Sequence, residues 1–545
     1  YGTLAKRDRR RLHIAAARYF EALDDEGIAG ALAEHYLAAY KAQPEGPEGE
    51  AVAAQARVAL RGAAERARSL GSFLQATRFL EQALEVTTDP VDEAQLHAAA
   101  GDAGLYAGLV EEPIAHMARW LELARAAGER RELMAAIAGN SFALSASGRI
   151  AECAAMLEPA FDECRDLVET PEYVRLASEL ARAYLLLGRN NDAVKVVDEI
   201  LPTAERLELT RETIELLVTR GPALAGMGRL REGIVTLVGA VEASTTYGFA
   251  DVGLRARVNL SYAAAAEDPE LAYRVAREGV ELTRHLGMRG YAFYMLSNAA
   301  ELAIRIGDWD WLLPELEEAV QLETDTASRM RLAEIRGLRG VDVNDEFQWL
   351  ADRMADMTEV QAQASVDEVH ALVALGLGDH RAALDLARRS YQMSIAPDSA
   401  SLQTAGRAAA WIGDRRALID ALALIGNQTG RVASAMGREA EAALAALEGR
   451  PEALAGFAEA IRRWRELGLD FEAALCGLNL LIMLGPSEPA ARAVGEEVAQ
   501  VFERLGTLPF QKLLADAMNA SVSTPSSRQE APPVLEVRAS ATRAK

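Results

Sequence analysis

Short apolar runs along the chain are broken by a recurring apolar–glycine–polar turn, and each turn is followed by an amphipathic stretch. The pattern reads LGSFLQATRFLEQAL from Leu70, SGRIAECAAMLEPA from Ser147, LGRNNDAVKVVDEIL from Leu187 and MGRLREGIVTLVGAV from Met227. It returns as IGDWDWLLPELEEAV from Ile306, LGDHRAALDLARRSY from Leu377, IGDRRALIDALALI from Ile412 and EGRPEALAGFAEAI from Glu448. The turn glycines are Gly71, Gly108, Gly148, Gly188 and Gly228, then Glu267 in the next place, then Gly307. Their spacings are 37, 40, 40, 40, 39 and 40 residues. A gap of 71 leads to Gly378, followed by 35 to Gly413 and 36 to Gly449, so one unit with a disguised turn is expected near Gly337–Asn344. A fixed period of this length is the signature of stacked supersecondary units.

A second glycine falls halfway through several units: Gly128, Gly248 and Gly287. Each unit therefore predicts two helices of about 15 residues, roughly 22 Å long. Glycine takes the left-handed conformation that ends a helix. The polar residues after it, such as Asn190, Asn191, Asp308 and Asp379, are placed to serve the start of the next one. Five residues past the turn the side chain is small at Ala76, Cys153, Ala193, Gly233, Ala272 and Ala383. Twelve past it, Ala83, Ala160, Ala240, Gly279, Ala319 and Ser390 repeat the choice. These positions lie seven apart on one helix face, where small side chains admit a close neighbour. Pro113, Leu312, Leu418 and Leu454 break the rule, so the units have diverged.

Composition supports helices and narrows the function. Half of the 545 residues are apolar but only 6% are aromatic. The formal charge of −23 repels phosphate backbones, which argues against nucleic-acid binding by the body of the chain. The basic run Lys6, Arg7, Arg9, Arg10 and Arg11 is the exception, and it reads as a solvated helix face. No apolar run is long enough to span a bilayer, which argues against a membrane partner. Cys153, Cys164 and Cys476 are too few and too scattered for a disulfide framework, which fits a reducing cytoplasm.

Catalytic chemistry finds no foothold. The histidines His13, His35, His97, His116, His285, His370 and His380 show no HxxxH spacing and no nearby cysteine, so no metal site is expected. Cys153 and Cys164 stand eleven apart on one helix, about 16 Å, beyond disulfide reach. Trp309 and Trp311 read as packing between units rather than as an exposed binding anchor. No GxxxxGK[ST] loop is present to cradle a triphosphate.

Small residues five and twelve past a turn glycine resemble the tetratricopeptide pattern, whose unit is 34 residues. Units near 40 resemble the extended variant found in large bacterial signalling proteins, over roughly residues 51–518. The resemblance implies an all-α, right-handed superhelical solenoid of helix pairs. In such arrays the first helix of each pair lines a concave groove, which makes Arg182, Tyr184, Arg220, Asn259, Tyr262 and Asn298 candidates to meet a protein or peptide partner. The opening segment, with Leu32, Ala33, His35 and Tyr36, resembles the junction that follows the ATPase module of multidomain bacterial signal-transduction ATPases.

That places residues 1–50 as a helical junction, with a Pro/Gly linker at 41–50, and residues 519–545 as a disordered tail. Among such proteins the resemblance is strongest to those with a class III adenylate/guanylate cyclase domain, a central ATPase and a C-terminal repeat array. Transcriptional activators with a similar ATPase and repeats are the alternative. Either way the resemblance implies that catalytic residues and ATP belong to an upstream module acting in cis, that this chain is not itself an enzyme, and that it holds no cofactor or metal.

Overall fold

The computed structural model describes residues 5–23, 26–321, 326–355, 360–394 and 399–520. The expected tail from residue 521 onward lies outside them. The described residues form 27 α-helices and no strand. The first pairs are α1 (Lys6–Glu21) with α2 (Ala29–Ala42), α3 (Pro47–Ser69) with α4 (Phe73–Leu84), and α5 (Pro90–Ala107) with α6 (Glu111–Ala127). Next come α7 (Arg130–Ala146) with α8 (Ile150–Glu163), α9 (Pro171–Leu186) with α10 (Asn190–Arg206), and α11 (Thr210–Gly226) with α12 (Leu230–Tyr247). Then follow α13 (Ala250–Ala264) with α14 (Pro269–Leu286), α15 (Arg289–Ile306) with α16 (Trp309–Val320), and α17 (Thr326–Leu338) with α18 (Asn344–Ala355). The last pairs are α19 (Val360–Gly376) with α20 (His380–Met393), α21 (Ser399–Ile412) with α22 (Arg415–Ile425), α23 (Arg431–Leu447) with α24 (Ala453–Glu466), and α25 (Asp470–Leu484) with α26 (Pro489–Leu505); α27 (Leu508–Asn519) closes the array.

Local chemistry sets these boundaries. Every turn glycine named above has positive φ, the conformation an L side chain resists. The disguised turn is Gly340, at φ +90° between α17 and α18, within the expected stretch. Proline opens α3, α5, α9, α14 and α26, where its missing N–H costs nothing. Asp379 caps α20 by accepting from Ala382 N at 3.0 Å, as expected. Asp308 does not cap α16; its carboxylate is taken by the Tyr273 hydroxyl at 2.8 Å and by Arg277. Asn190 heads α10 from inside the helix, and Arg189 stands at the cap without a side-chain bond.

The small-residue positions do the packing expected of them. Ala76, Ala193, Ala272 and Ala383 are fully buried. A Cβ added at Gly233 would stand 2.4 Å from the Gly221 carbonyl oxygen, so α11 and α12 touch backbone to backbone there. Trp309 is buried, donates to Ile304 O at 3.0 Å and meets Phe471 edge-on. Trp311 packs against Tyr273 and lies under Arg277.

The stack closes on itself twice. The first helices α5, α7, α9, α11, α13 and α15 each pack on the next, and α15 returns to α5. From α15 onward α17, α19, α21, α23 and α25 repeat the arrangement, and α25 returns to α15. Two six-helix rings thus share α15. The first joint is glycine on glycine: Cβ atoms at Gly287 and Gly290 would stand 2.1 Å from Gly71 O and 2.4 Å from Leu105 O. The second joint carries Arg305 on α15 against Glu472 on α25 at 3.1 Å. Glu267, the odd member of the glycine series, now has a reason. Its carboxylate accepts from Arg431 N at 3.1 Å and pairs with Arg231, pinning the start of α23 to the α13–α14 turn.

Candidate functional site

Six helices spaced about 10 Å around an axis leave a central space about one helix wide. The two rings treat that space differently. In the second, α21 and α25 meet across it, and buried charges fill the middle. Arg407 pairs with Glu439 at 2.9 Å and Glu472 at 2.7 Å, and Arg331 pairs with Glu334 at 2.8 Å. Burial alone would raise the Glu472 carboxyl, but Arg407 and Arg305 beside it hold it below the usual range.

The first ring keeps its space lined by polar side chains. On α9, Arg175, Glu179 and Arg182 recur at helical spacing on one face; on α13, Asp251, Arg255 and Tyr262 do the same. Neighbouring helices are cross-linked: Arg175 reaches Glu212 at 2.9 Å, Arg211 binds Asp251, and Arg255 donates to Glu215 O at 3.2 Å. The Tyr106 hydroxyl donates to Asp251 at 2.8 Å and so ties α5 to α13 across the joint. Burial alone would raise Asp251, but the Arg211 guanidinium outweighs it and the carboxyl sits low. Burial pushes Tyr291 up to about 12, against the opposing pull of Arg255.

Asp102 on α5 stands apart. Among the described residues it makes no hydrogen bond and no ion pair within 4 Å. It lies deep within the ring walls, yet its side chain stays open to the lumen. Enclosure raises its pKa to about 6; Arg68 opposes the shift and Asp251 adds to it. The folded state therefore holds this proton more tightly than the unfolded chain, for which the ordinary value is 3.8. At neutral pH the charge works against the fold, and the penalty fades as pH falls through about 6 toward 3.8. Asp102→Asn is expected to stabilise the protein at pH 7, by less than about 1 kcal/mol because the carboxylate remains wetted. The gain should vanish near pH 4, as read from urea midpoints at both pH values.

The six groove candidates divide three ways. Arg182 is on the lumen face of α9, over the Phe142 ring at 4.5 Å and bonded to Glu179 at 3.3 Å. Tyr262, 69% exposed, shares the α13 face of Asp251 and Arg255. Asn259 and Asn298 lie between first helices, donating to Val218 O at 3.0 Å and Val258 O at 3.1 Å. Tyr184 is buried under Arg189, and Arg220 turns to the second-helix layer, where Asp198 is 2.8 Å away. Asp102, Tyr106, Arg211, Asp251 and Tyr291 were not among the sequence candidates. The Arg211–Asp251 spacing of 40 matches the repeat and was a usable signal, whereas the Tyr106–Asp251 link spans 145 residues.

The structure also joins histidines that the sequence keeps apart. His13 meets His35 and His97 meets His116, each pair with Nδ1 atoms 2.9 Å apart. Leu32, Ala33, His35 and Tyr36 pack α2 on α1, where His35 stacks on Phe20 and Tyr36 donates to Glu21. Among the described residues no group of three or more His, Cys, Asp or Glu could hold a metal ion, and no helix is long and apolar enough to cross a membrane. The cysteines are free; burial raises the Cys153 thiol to about 11.

No family model matches the sequence, and no curated protein sequence matches it. Solved structures of similar fold include a Rap protein complexed with competence and sporulation factor, at 13% identity over 71% of this chain and 97% of that one, TM-score 0.44. A signal transduction ATPase with numerous domains and a tetratricopeptide repeat sensor, from Pyrococcus horikoshii, shares 14% identity over 64% of this chain and 54% of that one, TM-score 0.37. Yeast Tom70 shares 13% identity over 81% of this chain and 99% of that one, TM-score 0.32. The helix pairs and their stacking make the fold of the described residues an all-α solenoid.

Proposed function

We propose that this chain is a non-catalytic interaction array that receives a protein or peptide segment in the lumen of its first ring. The observation that carries this reading is the contrast between the rings: one fills its centre with mutually paired charges, and the other leaves a wet, charge-lined space with Asp102 unpaired. A lumen about one helix wide suits a single extended or helical segment. Function then resides on the inner surface, not in the fold.

Control of an upstream ATPase and nucleotide cyclase in cis is the regulatory form of this proposal, supported by the resemblance around Leu32, Ala33, His35 and Tyr36. In it ATP is held by the upstream module, no residue of this chain binds a cofactor, and the protein works in the cytoplasm. The test is ATP turnover by the protein carrying that module, with and without residues 51–518. A changed rate is expected on removal; an unchanged rate leaves a passive scaffold and overturns the regulatory reading. The alternative is the effector-sensing array of an ATPase-type transcriptional activator, favoured by the enclosure of Asp102, which would suit a small cationic effector. Loss of effector-dependent transcription in Asp102→Asn, with ATP turnover intact, would select it.

A further inference from the structure

An outer helix of a stack is soluble on its own when its uncovered face is polar. On α27, Phe510 and Leu514 are buried, while Lys512, Ala515 and Asp516 face out beside one large exposed apolar side chain, Leu508. The outer face of α1 differs. On α1, Arg10 and Ala17 are buried against the array, and Arg10 is held by Glu48 O at 2.6 Å. The opposite side carries Leu12 at 51% exposure, Ala15, Tyr19 at 64% and, one turn on, Leu23 at 49%.

These residues fall at helical spacing on one face and form a continuous apolar row. Arg7, Arg11 and Arg18 run along one edge of that row. Arg11 has only a loose pair with Asp8 at 3.5 Å, and Arg7 and Arg18 have no ion pair among the described residues. In a chain of net charge −23 this edge is locally positive. An apolar row on an outer helix is a docking face by default. Its basic edge selects the occupant: the charge pattern fits a helix with an apolar stripe flanked by carboxylates. The same overall negative charge disfavours an anionic lipid surface or a nucleic acid, both repelled by the rest of the molecule.

We infer that the outer face of α1 is a second docking surface, separate from the lumen, for an acidic-edged amphipathic helix of a partner protein or module. The inference does not depend on what the lumen binds.

The test uses the full chain and two synthetic amphipathic helical peptides that differ only at the flanking positions, Glu in one and Lys in the other. Binding is followed by fluorescence anisotropy. The Glu peptide is expected to bind at least about ten-fold more tightly than its Lys twin. Leu12→Ser with Tyr19→Ser should abolish binding of both. Arg7→Glu, Arg11→Glu and Arg18→Glu together should reverse the preference while leaving the apolar row intact. All five side chains face outward, and unchanged circular dichroism and melting will show that the fold survives. Equal binding of the twins, or a preference that survives the charge reversal, overturns the proposal. So does binding to phosphatidylglycerol vesicles that the Glu peptide fails to displace, which would make the face a lipid contact. Sedimentation showing that a second copy of the chain covers α1 would also overturn it.

Discussion

Glu439→Leu is expected to cost about 3–5 kcal/mol and to uncouple the second ring from the first. Glu439 is buried and accepts five hydrogen bonds: two from Arg407, and one each from Gln403, Trp464 and Asn479. These donors come from α21, α23's own partner helix α24, and α25, so a single carboxylate ties three helices to α23. Removing it leaves the buried Arg407 guanidinium with Glu472 as its one remaining charge partner and strands three neutral donors at once, and an unmet buried donor costs about 1–3 kcal/mol. Burial alone would strip the charge from Arg407, but the two glutamates beside it hold the proton more firmly than usual. The penalty therefore persists across the accessible pH range.

Denaturant unfolding should split into two transitions, the earlier one belonging to the second ring. Adding Arg407→Met to Glu439→Leu should recover part of the loss, because the excess buried positive charge is then gone and Glu472 keeps Arg305 as its partner. A single transition with a loss below about 1 kcal/mol would show that the network is not what holds the ring.

The repeats were legible because their determinants are local. A glycine with positive φ and two small residues seven apart on one face are written within fifteen residues of each other. Even the disguised unit was visible, since Gly340 keeps the conformation while losing the surrounding pattern. Ring closure was not legible, because it depends on pairs such as Tyr106 with Asp251, Arg305 with Glu472 and Thr507 with Leu338, which lie 145, 167 and 169 residues apart. Facing was partly legible. Arg182 and Tyr184 are two residues apart, about 200° around a helix, so they cannot both look into the lumen. The structure gives that face to Arg182 and buries Tyr184. The exception at Glu267 looked like decay of the repeat, yet it is a contact between distant units, since its carboxylate holds the first turn of α23.

Gly290→Ala should open the first ring. Gly290 lies in the first turn of α15 with ordinary helical backbone, so alanine there would by itself favour the helix by about 1 kcal/mol. The joint reverses the sign. The new Cβ would sit 2.4 Å from the Leu105 carbonyl oxygen on α5, and the obstacle is backbone rather than a flexible side chain. Relief requires α5 and α15 to separate, which strains the Tyr106–Asp251 bond and the neighbouring contact of Gly71 with Gly287. Overpacking of this kind costs about 1–3 kcal/mol. Gly62→Ala on α3 supplies the control: nothing lies within 4 Å of its added Cβ, and a gain of about 0.5–1 kcal/mol is expected there. The two variants should thus move stability in opposite directions. Hydrogen exchange in Gly290→Ala should quicken along α5 and the start of α15 while the second ring stays protected, because Arg305 and Glu472 at the far end of α15 are untouched. Equal gains from both alanines would mean that the first ring is open in solution and that its lumen is a groove with a free edge.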